Sequence, residues 1–315
     1  MTAARSARPL AVLTGPTGTG KTDLALALAR EFPLEIVSVD SAQVYRGLDI
    51  GSAKPSAEIR ARVPHHLVDL VDATESYSAG QFVRDAARAI EDIEARGRVP
   101  LLVGGTMLYL RALTGGIATL PEGNAELRAS LDAEAARDGW PALHARLAAI
   151  DPAAATRIHP NDAQRIQRAL EVHAVGGRPI SELQTATRPA LDREFTVCAL
   201  FPQDRVRLHA DLERRFAQMM SAGLLDEVRG LRARGDLTDA HPAIRAVGYR
   251  QLWAHLDGSY SLEVAVERGV AATRQLAKRQ MTWLRSMRNI RTFDPYDGQS
   301  FVGIRESLTR AFYPL

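Results

Sequence analysis

A glycine-rich octapeptide near the start of the chain has the composition and spacing of a phosphate-binding loop. Its residues are Gly15, Pro16, Thr17, Gly18, Thr19, Gly20, Lys21 and Thr22, which fit the pattern G-x-x-x-x-G-K-[ST]. Glycines let the backbone amides surround an anionic oxygen, the lysine adds a positive charge, and the Thr22 hydroxyl is placed to hold Mg²⁺. The motif therefore predicts a diphosphate or triphosphate site, and it does not identify the compound.

A second candidate for chemistry is the carboxylate of Asp40, which ends an apolar run beginning at Leu34. Nucleotide hydrolases place such an acid after a later apolar strand, where it organises Mg²⁺, but the apolar run at 99–103 is followed by glycine. We expect Asp40 beside the phosphate loop at the carboxyl edge of a parallel sheet, where it can act as a base. A cap at the start of a loop, or a partner of Mg²⁺ through water, is the alternative role.

The segments around these residues predict an α/β fold with a P-loop parallel sheet core flanked by helices. Apolar, strand-like runs lie at 10–14, 34–40, 66–71, 99–103 and 195–201. Helical spacing lies at 21–32, 78–96, 206–234, 243–256 and 262–287. The strand–helix–strand order at the start predicts parallel pairing of the first two strands.

The middle of the chain has a different pattern, which predicts a helical insertion domain at 118–193. No strand is evident from 121 to 193, and helical segments lie at 125–137, 140–150 and 161–175. The catalytic core would then comprise 8–117 and 194–315, with helices at its C-terminal end.

Composition and charge exclude several classes of protein. The 315 residues are 46% hydrophobic and 24% charged, which excludes disordered and collagen-like chains. No apolar run reaches the ~18 residues of a membrane helix, and no signal peptide is evident, so we expect a cytoplasmic protein. A single cysteine excludes a disulfide framework, the scattered histidines predict no zinc site, and nothing demands more than a monomer. A net charge of +3 permits an anionic partner without establishing one.

Six motifs follow one another along the chain. They are GPTGTGKT at 15–22, DSAQVYRGLDIG at 40–51, GGTMLY at 104–109, NDAQRIQRALE at 161–171, RAVGYR at 245–250 and KRQMTWLR at 278–285. In order and spacing they resemble the tRNA dimethylallyltransferases, also called tRNA isopentenyltransferases, over about residues 10–294. The departures are Gly18-Thr19, where Ala-Ser is common, and Gly51-Ser52, where Gly-Thr is common. Neither departure removes a group that the chemistry needs.

The resemblance implies transfer of a dimethylallyl group from dimethylallyl diphosphate to the exocyclic amine (N6) of an adenosine in tRNA. That adenosine, at position 37, directly follows the anticodon, and the products are N6-isopentenyladenosine and diphosphate. Lys21, the loop amides and Mg²⁺ would stabilise the charge that grows on the leaving group. Asp40 would align the amine and accept its proton. Thr106 would touch the leaving group or the target nucleotide, or would cap the helix that follows it.

The resemblance also implies contacts with the anticodon stem-loop, from which the target base must be extruded. The candidate contacts are Asp40, Ser41, Ala42, Gln43, Thr106, Arg128, Gln164, Arg165, Ile166, Gln167, Arg168, Arg245, Tyr249, Arg250, Lys278, Arg279 and Arg285. Those in the insertion are expected to close over the RNA, where Arg165 and Arg168 share one helix face and suit phosphate contacts. A solvated arginine stripe paired with Glu171 is the alternative.

Two of these candidates have further alternatives. Tyr249 either stacks on a base or belongs to the core. Arg245 and Arg250 reach either the diphosphate or the RNA backbone.

Three other functions share part of this pattern. A small-molecule kinase would bind ATP in the same loop, but it gives the motifs at 161–171 and 278–285 no role. Transfer of the prenyl group to adenosine monophosphate would not need the helical insertion. An RNA-binding module with a vestigial loop would not need an intact Lys21-Thr22 pair.

Overall fold

The computed structural model describes residues 8–116, 118, 120–185 and 191–312, and these form six strands and fourteen helices. The strands are β1 (Leu10–Thr14), β2 (Leu34–Ser38), β3 (His65–His66), β4 (Val99–Gly104), β5 (Phe195–Leu200) and β6 (Ile290–Phe293). The helices are α1 (Lys21–Leu28), α2 (Ala57–Arg62), α3 (Ala79–Ala95), α4 (Met107–Gly115), α5 (Ala125–Asp138), α6 (Trp140–Ile150), α7 (Pro152–Arg157), α8 (Ala163–Gly176), α9 (Ile180–Leu183), α10 (Arg205–Ser221), α11 (Leu224–Ala233), α12 (Tyr249–Leu256), α13 (Leu262–Ser286) and α14 (Ser300–Phe312).

The strands form one sheet in the order β3-β2-β4-β1-β5-β6, and every neighbouring pair is parallel. The predicted α/β class with a parallel sheet is confirmed. The predicted pairing of the first two strands is wrong, because β4 lies between β1 and β2. β3, which follows β2 in the chain, takes the edge of the sheet, and the later β4 enters its centre, a long-range arrangement that the local strand–helix–strand pattern does not encode.

Helices cover the sheet, as its continuously apolar strands require. Side chains of α1 and α14 share a buried cluster with alternate residues of β1, including Ala11 and Leu13. The intervening residues, Leu10 and Val12, are equally buried, so neither side of β1 faces solvent. A separate core joins α10, α11, α12 and α13 to the chain that follows β2.

Several predicted elements are shorter in the structure than their apolar patterns suggested. The strand expected at 66–71 ends at His66, because Leu67 and Asp69 adopt positive φ angles of 62° and 57°. The helix expected at 206–234 is divided at Gly223, which has a φ of 99°. The helix expected at 243–256 begins only after Gly248, whose φ is 91°. The pattern did not reveal β6 or α14.

The chain divides into two compact units, one comprising Met1–Arg111 with Leu191–Leu315 and the other Ala112–Ala190. The smaller unit contains α5 to α9 and has its own apolar core. Three of its helices, α5, α7 and α8, begin at side-chain caps, for example at Asp162, whose carboxylate accepts the backbone N–H of Arg165. Among the described residues, no helix is long and apolar enough to span a membrane.

Candidate active site

The phosphate loop connects β1 to α1 and depends on glycine for its shape. Gly18 has a φ of 78°, and a Cβ there would lie 2.6 Å from a methyl carbon of Leu212 in α10. The loop carbonyl of Pro16 accepts hydrogen bonds from the Thr19 hydroxyl at 2.9 Å and from the Lys21 ammonium at 2.6 Å. The lysine is thereby held at the loop, where an incoming anion can replace the Pro16 carbonyl as its hydrogen-bond partner.

Two cations and one carboxylate converge in front of this loop. Burial and the nearby positive charge of Arg215 lower the pKa of Lys21 to about 8, and the carboxylate of Asp40 opposes that change. Burial likewise lowers the pKa of Arg215, against the favourable fields of Asp40 and Asp23. Neither cation forms a salt bridge with a described residue, and burial removes both from water, so the site favours a polyanionic ligand.

Arg215 did not emerge from the sequence as a site residue. It lies in the middle of α10, a helix with arginine at three other positions, and no local motif marks it. Only the fold shows that α10 brings this residue to Lys21. The same side chain lines a cavity of about 880 Å³ that continues along the loop after β2.

Asp40 follows β2 and is partly exposed. Its Oδ1 atom accepts the backbone N–H groups of Ala42 at 2.8 Å and Gln43 at 3.3 Å. The capping role that the sequence left open is therefore present. Its other oxygen has no hydrogen-bond partner among the described residues, so one carboxylate can both fix the loop and face a ligand.

Thr106 lies after the glycine pair that ends β4, and its side chain bonds to the neighbour of Asp40. The Thr106 hydroxyl oxygen accepts the backbone N–H of Ser41 at 3.0 Å, and its proton is donated to the Ser41 hydroxyl at 3.3 Å. The start of α4 is joined to this residue through its backbone, because the Thr106 carbonyl accepts the N–H of Leu110. Thr106 thus holds the two loops together beside the carboxylate.

Of the other residues after Asp40, Gln43 is fully engaged within the protein. Its amide oxygen accepts from the Ser38 hydroxyl at 2.9 Å, and its amide nitrogen donates to the carbonyls of Ser52 and Ala53. Pairing with a base edge would require these bonds to be exchanged. Ser41 is exposed.

The C-terminal motifs divide into exposed cations and buried packing residues. The exposed cations are Arg245, Arg250, Lys278, Arg279 and Arg285. Tyr249 is fully buried, and its hydroxyl donates to Glu227, so the prediction that it contacts tRNA is corrected in favour of the core. The spacing of apolar residues in α12 is the same whether Tyr249 stacks on a base or packs in the core, so the sequence alone could not decide between the two roles.

In the helical unit, the carboxylate of Glu171 is completely buried and organises two arginines. It accepts from Arg128 at 2.7 Å and from Arg168 at 2.6 Å, and also from the backbone N–H of Asn124. These hydrogen bonds lower the pKa of Glu171 against the effect of its burial. The alternative pairing with Glu171 is thus observed for Arg168, whose guanidinium remains partly exposed.

The remaining candidates of α8 differ in exposure. Gln164 and Arg165 are exposed, and Arg165 has an ion pair with Asp162 at 3.1 Å. Gln167 donates to Asp132 at 2.7 Å. Ile166 has no exposed surface and belongs to the apolar core, so the prediction that it contacts tRNA is corrected. In the sequence Ile166 lies between polar candidates on the same turn, and nothing local distinguishes it from them.

Known proteins share this sequence and architecture. A model of the IPP transferase family matches residues 43–287, and a model of isopentenyl transferases matches residues 9–65. A tRNA dimethylallyltransferase of Bordetella petrii is 57% identical over 284 residues, covering 89% of this chain and 90% of the relative. Another, from Alkalilimnicola ehrlichii, is 58% identical over 282 residues, covering 90% and 89%.

Solved structures agree in fold over nearly the whole chain. A tRNA isopentenylpyrophosphate transferase from Bacillus halodurans superposes with a TM-score of 0.70 at 36% identity, covering 96% of both chains. A eukaryotic dimethylallyltransferase acting on tRNA has a TM-score of 0.80 at 28% identity, covering 96% of this chain and 78% of its own.

Proposed function

The chain belongs to the IPP transferase family, and on that premise we propose that it transfers a dimethylallyl group to tRNA. The donor is dimethylallyl diphosphate, and the acceptor is N6 of the adenosine 3′ to the anticodon. The products are N6-isopentenyladenosine and diphosphate. The observation that carries the proposal is the convergence of Lys21, Arg215 and Asp40 in front of the phosphate loop.

The two cations of this site suit a leaving diphosphate. As the allylic carbon–oxygen bond breaks, negative charge grows on the oxygen that remains with the diphosphate. Lys21 and Arg215, both poorly solvated, interact more strongly with that charge than exposed side chains would. Lys21 exchanges the Pro16 carbonyl for a phosphate oxygen in this step.

The carboxylate suits the acceptor. The lone pair of the adenine amine is delocalised into the ring, so the amine is a weak nucleophile. The Asp40 oxygen without a partner in the described residues accepts a hydrogen bond from this amine and takes its proton as the carbon–nitrogen bond forms. Thr106, bonded to Ser41, keeps the loop that carries this carboxylate in place.

Mg²⁺ is the metal that we propose for the donor site. The described residues contain no group of three or more acidic, histidine or cysteine side chains that could hold a metal ion. The exposed hydroxyl of Thr22, in the first turn of α1, fits an ion that takes most of its ligands from phosphate oxygens and water. When bound, Mg²⁺ supplies further neutralisation of the leaving diphosphate.

Each of the two units carries exposed cations that are available to the phosphates of tRNA. Lys278, Arg279 and Arg285 of α13 are exposed, as is Arg165 of the helical unit. Phosphate contacts of this kind position an RNA without reading its sequence. A monomer and a cytoplasmic location remain predictions.

A transfer assay with labelled dimethylallyl diphosphate and Mg²⁺ tests the function. Parallel reactions contain an anticodon stem-loop with the target adenosine, the same RNA without it, or adenosine monophosphate. Label in the first RNA alone is expected. Label in adenosine monophosphate alone would assign the protein to the mononucleotide transferases, and ATP consumption with a pool of small molecules and no labelled product would favour the kinase.

A further inference from the structure

Gln280 lies at the junction between the phosphate loop and the glycine turn after β4. It belongs to α13 and is 8% exposed. Its amide oxygen accepts the backbone N–H of Thr17 at 2.9 Å, and its amide nitrogen donates to the carbonyl of Gly105 at 2.8 Å. One side chain therefore bonds to both loops that form the site.

The two bonds fix the orientation of the amide. An N–H group of the phosphate loop can meet only an oxygen, and the Gly105 carbonyl can meet only a donor. Neither aspartate nor an ionised glutamate supplies both. The packing is equally close, because a Cβ on Gly105 would lie 2.5 Å from the Gln280 amide nitrogen and 3.0 Å from the carbonyl oxygen of Gly15.

We propose that Gln280 is a positioning residue, which holds the donor loop in register with the turn that carries Thr106. The proposal rests on the proposed function for the meaning of the two loops. The Thr17 N–H is occupied by the Gln280 amide oxygen, so the amide acts on the shape of the loop. Through Thr106 the same connection extends to Ser41, the residue next to Asp40.

Lys278 and Arg279 of the same helix are exposed, whereas Gln280 is buried. The exposed cations are available to RNA, and the buried amide is directed to the donor side. Substitution of Gln280 is therefore expected to affect diphosphate binding and turnover while leaving RNA affinity unchanged.

The test uses Gln280→Glu, whose behaviour depends on its protonation. A neutral carboxylic acid accepts from Thr17 and donates to Gly105, as the amide does, whereas the carboxylate faces the Gly105 carbonyl with no proton to give. Titrations with inorganic pyrophosphate and Mg²⁺, together with turnover measurements, would be made between pH 6 and pH 8.5. Gln275→Glu adds the same charge at an exposed position of the same helix and is the control.

We expect Gln280→Glu at pH 8.5 to bind pyrophosphate about tenfold more weakly than the wild type and to lower kcat at least as much. The pyrophosphate affinity and the kcat of Gln280→Glu, each relative to the wild type, should rise severalfold as the pH falls to 6. The KM for the stem-loop should stay constant. The control should match the wild type throughout. A pH-independent defect, an RNA-binding defect, or wild-type pyrophosphate affinity at pH 8.5 would overturn the assignment.

The readouts separate this proposal from the proposed function. If the wild type transfers no label but pyrophosphate binding by Gln280→Glu still recovers at low pH, the prenyl transfer fails and the role of Gln280 at the loop stands. If the wild type transfers label and the variant shows no recovery, only the role of Gln280 fails.

Discussion

Replacing Lys21 by methionine should stabilise the fold while it removes activity. The pKa of Lys21 is lowered from 10.5 to about 8, first by burial and second by Arg215. At about 1.36 kcal/mol per pH unit, the charged ammonium destabilises the folded protein by about 3 kcal/mol at pH 7. Loss of the hydrogen bond to the Pro16 carbonyl offsets about 1 kcal/mol. The net expectation is that Lys21→Met is more stable by about 2 kcal/mol.

The lowered pKa of Lys21 also predicts how the difference in stability between the wild type and Lys21→Met changes with pH. Between pH 8 and pH 10.5 the unfolded lysine holds its proton and the folded lysine does not, so the wild type gains stability relative to Lys21→Met as the pH rises. The difference between the two proteins should shrink by about 2 kcal/mol from pH 7 to pH 9.5. Comparing two proteins at each pH removes the contribution of groups that titrate alike in both.

Urea unfolding at the two pH values is the assay, and Lys278→Met is the control. Lys278 is exposed, so its replacement should change stability by no more than about 0.5 kcal/mol at either pH. Pyrophosphate at about 100 times its Kd should add about 2.7 kcal/mol to the wild type and much less to Lys21→Met. A variant that is less stable at pH 7, or a difference that does not change with pH, would refute the reasoning.

Three further predictions follow from contacts in the two units. Asp40→Asn keeps an oxygen for the two backbone N–H groups, so we expect a normal Tm. Turnover, measured under single-turnover conditions, should fall by at least about 100-fold. Near-normal turnover would remove Asp40 from the reaction. Glu171→Gln should destabilise the helical unit by about 3 kcal/mol, because it removes the buried charge that two arginines share, whereas the exposed Glu182→Gln should leave the urea midpoint unchanged. Arg165→Ala should reduce the salt dependence of tRNA binding without altering stability, whereas Arg168→Ala should also lower the Tm; equal effects of both on the Tm would contradict the difference in their contacts.

The sequence was most informative where a function needs a contiguous motif. The phosphate loop and the acid at the end of β2 could be located because their residues are neighbours in the chain, and glycine, lysine and aspartate each have a local reason to be there. Arg215 and Gln280 could not be found in this way, because their roles depend on which residues α10 and α13 approach after folding.

The errors have the same origin. Tyr249 and Ile166 stand among polar residues in sequence, yet each lies on the inner face of its helix. The strand predicted at 66–71 has suitable residue types, but positive φ angles at Leu67 and Asp69 end it. For Tyr249 and Ile166, packing in the fold decides between two interpretations that the sequence allows equally, and for the strand the backbone conformation does so.

The position of β4 between β1 and β2 also sets a length. Strands in a sheet are about 4.8 Å apart, so the ends of β1 and β2, which carry the phosphate loop and Asp40, are separated by about 10 Å. The strand between them ends in glycine, and a Cβ on Gly104 would lie 2.1 Å from the carbonyl oxygen of Val39. The distance between the phosphate loop and Asp40 is therefore set by the backbone hydrogen bonds that pair β4 with its two neighbours. Side-chain substitutions can change the affinity or rate of the site, whereas a change in this distance would need a different sheet order.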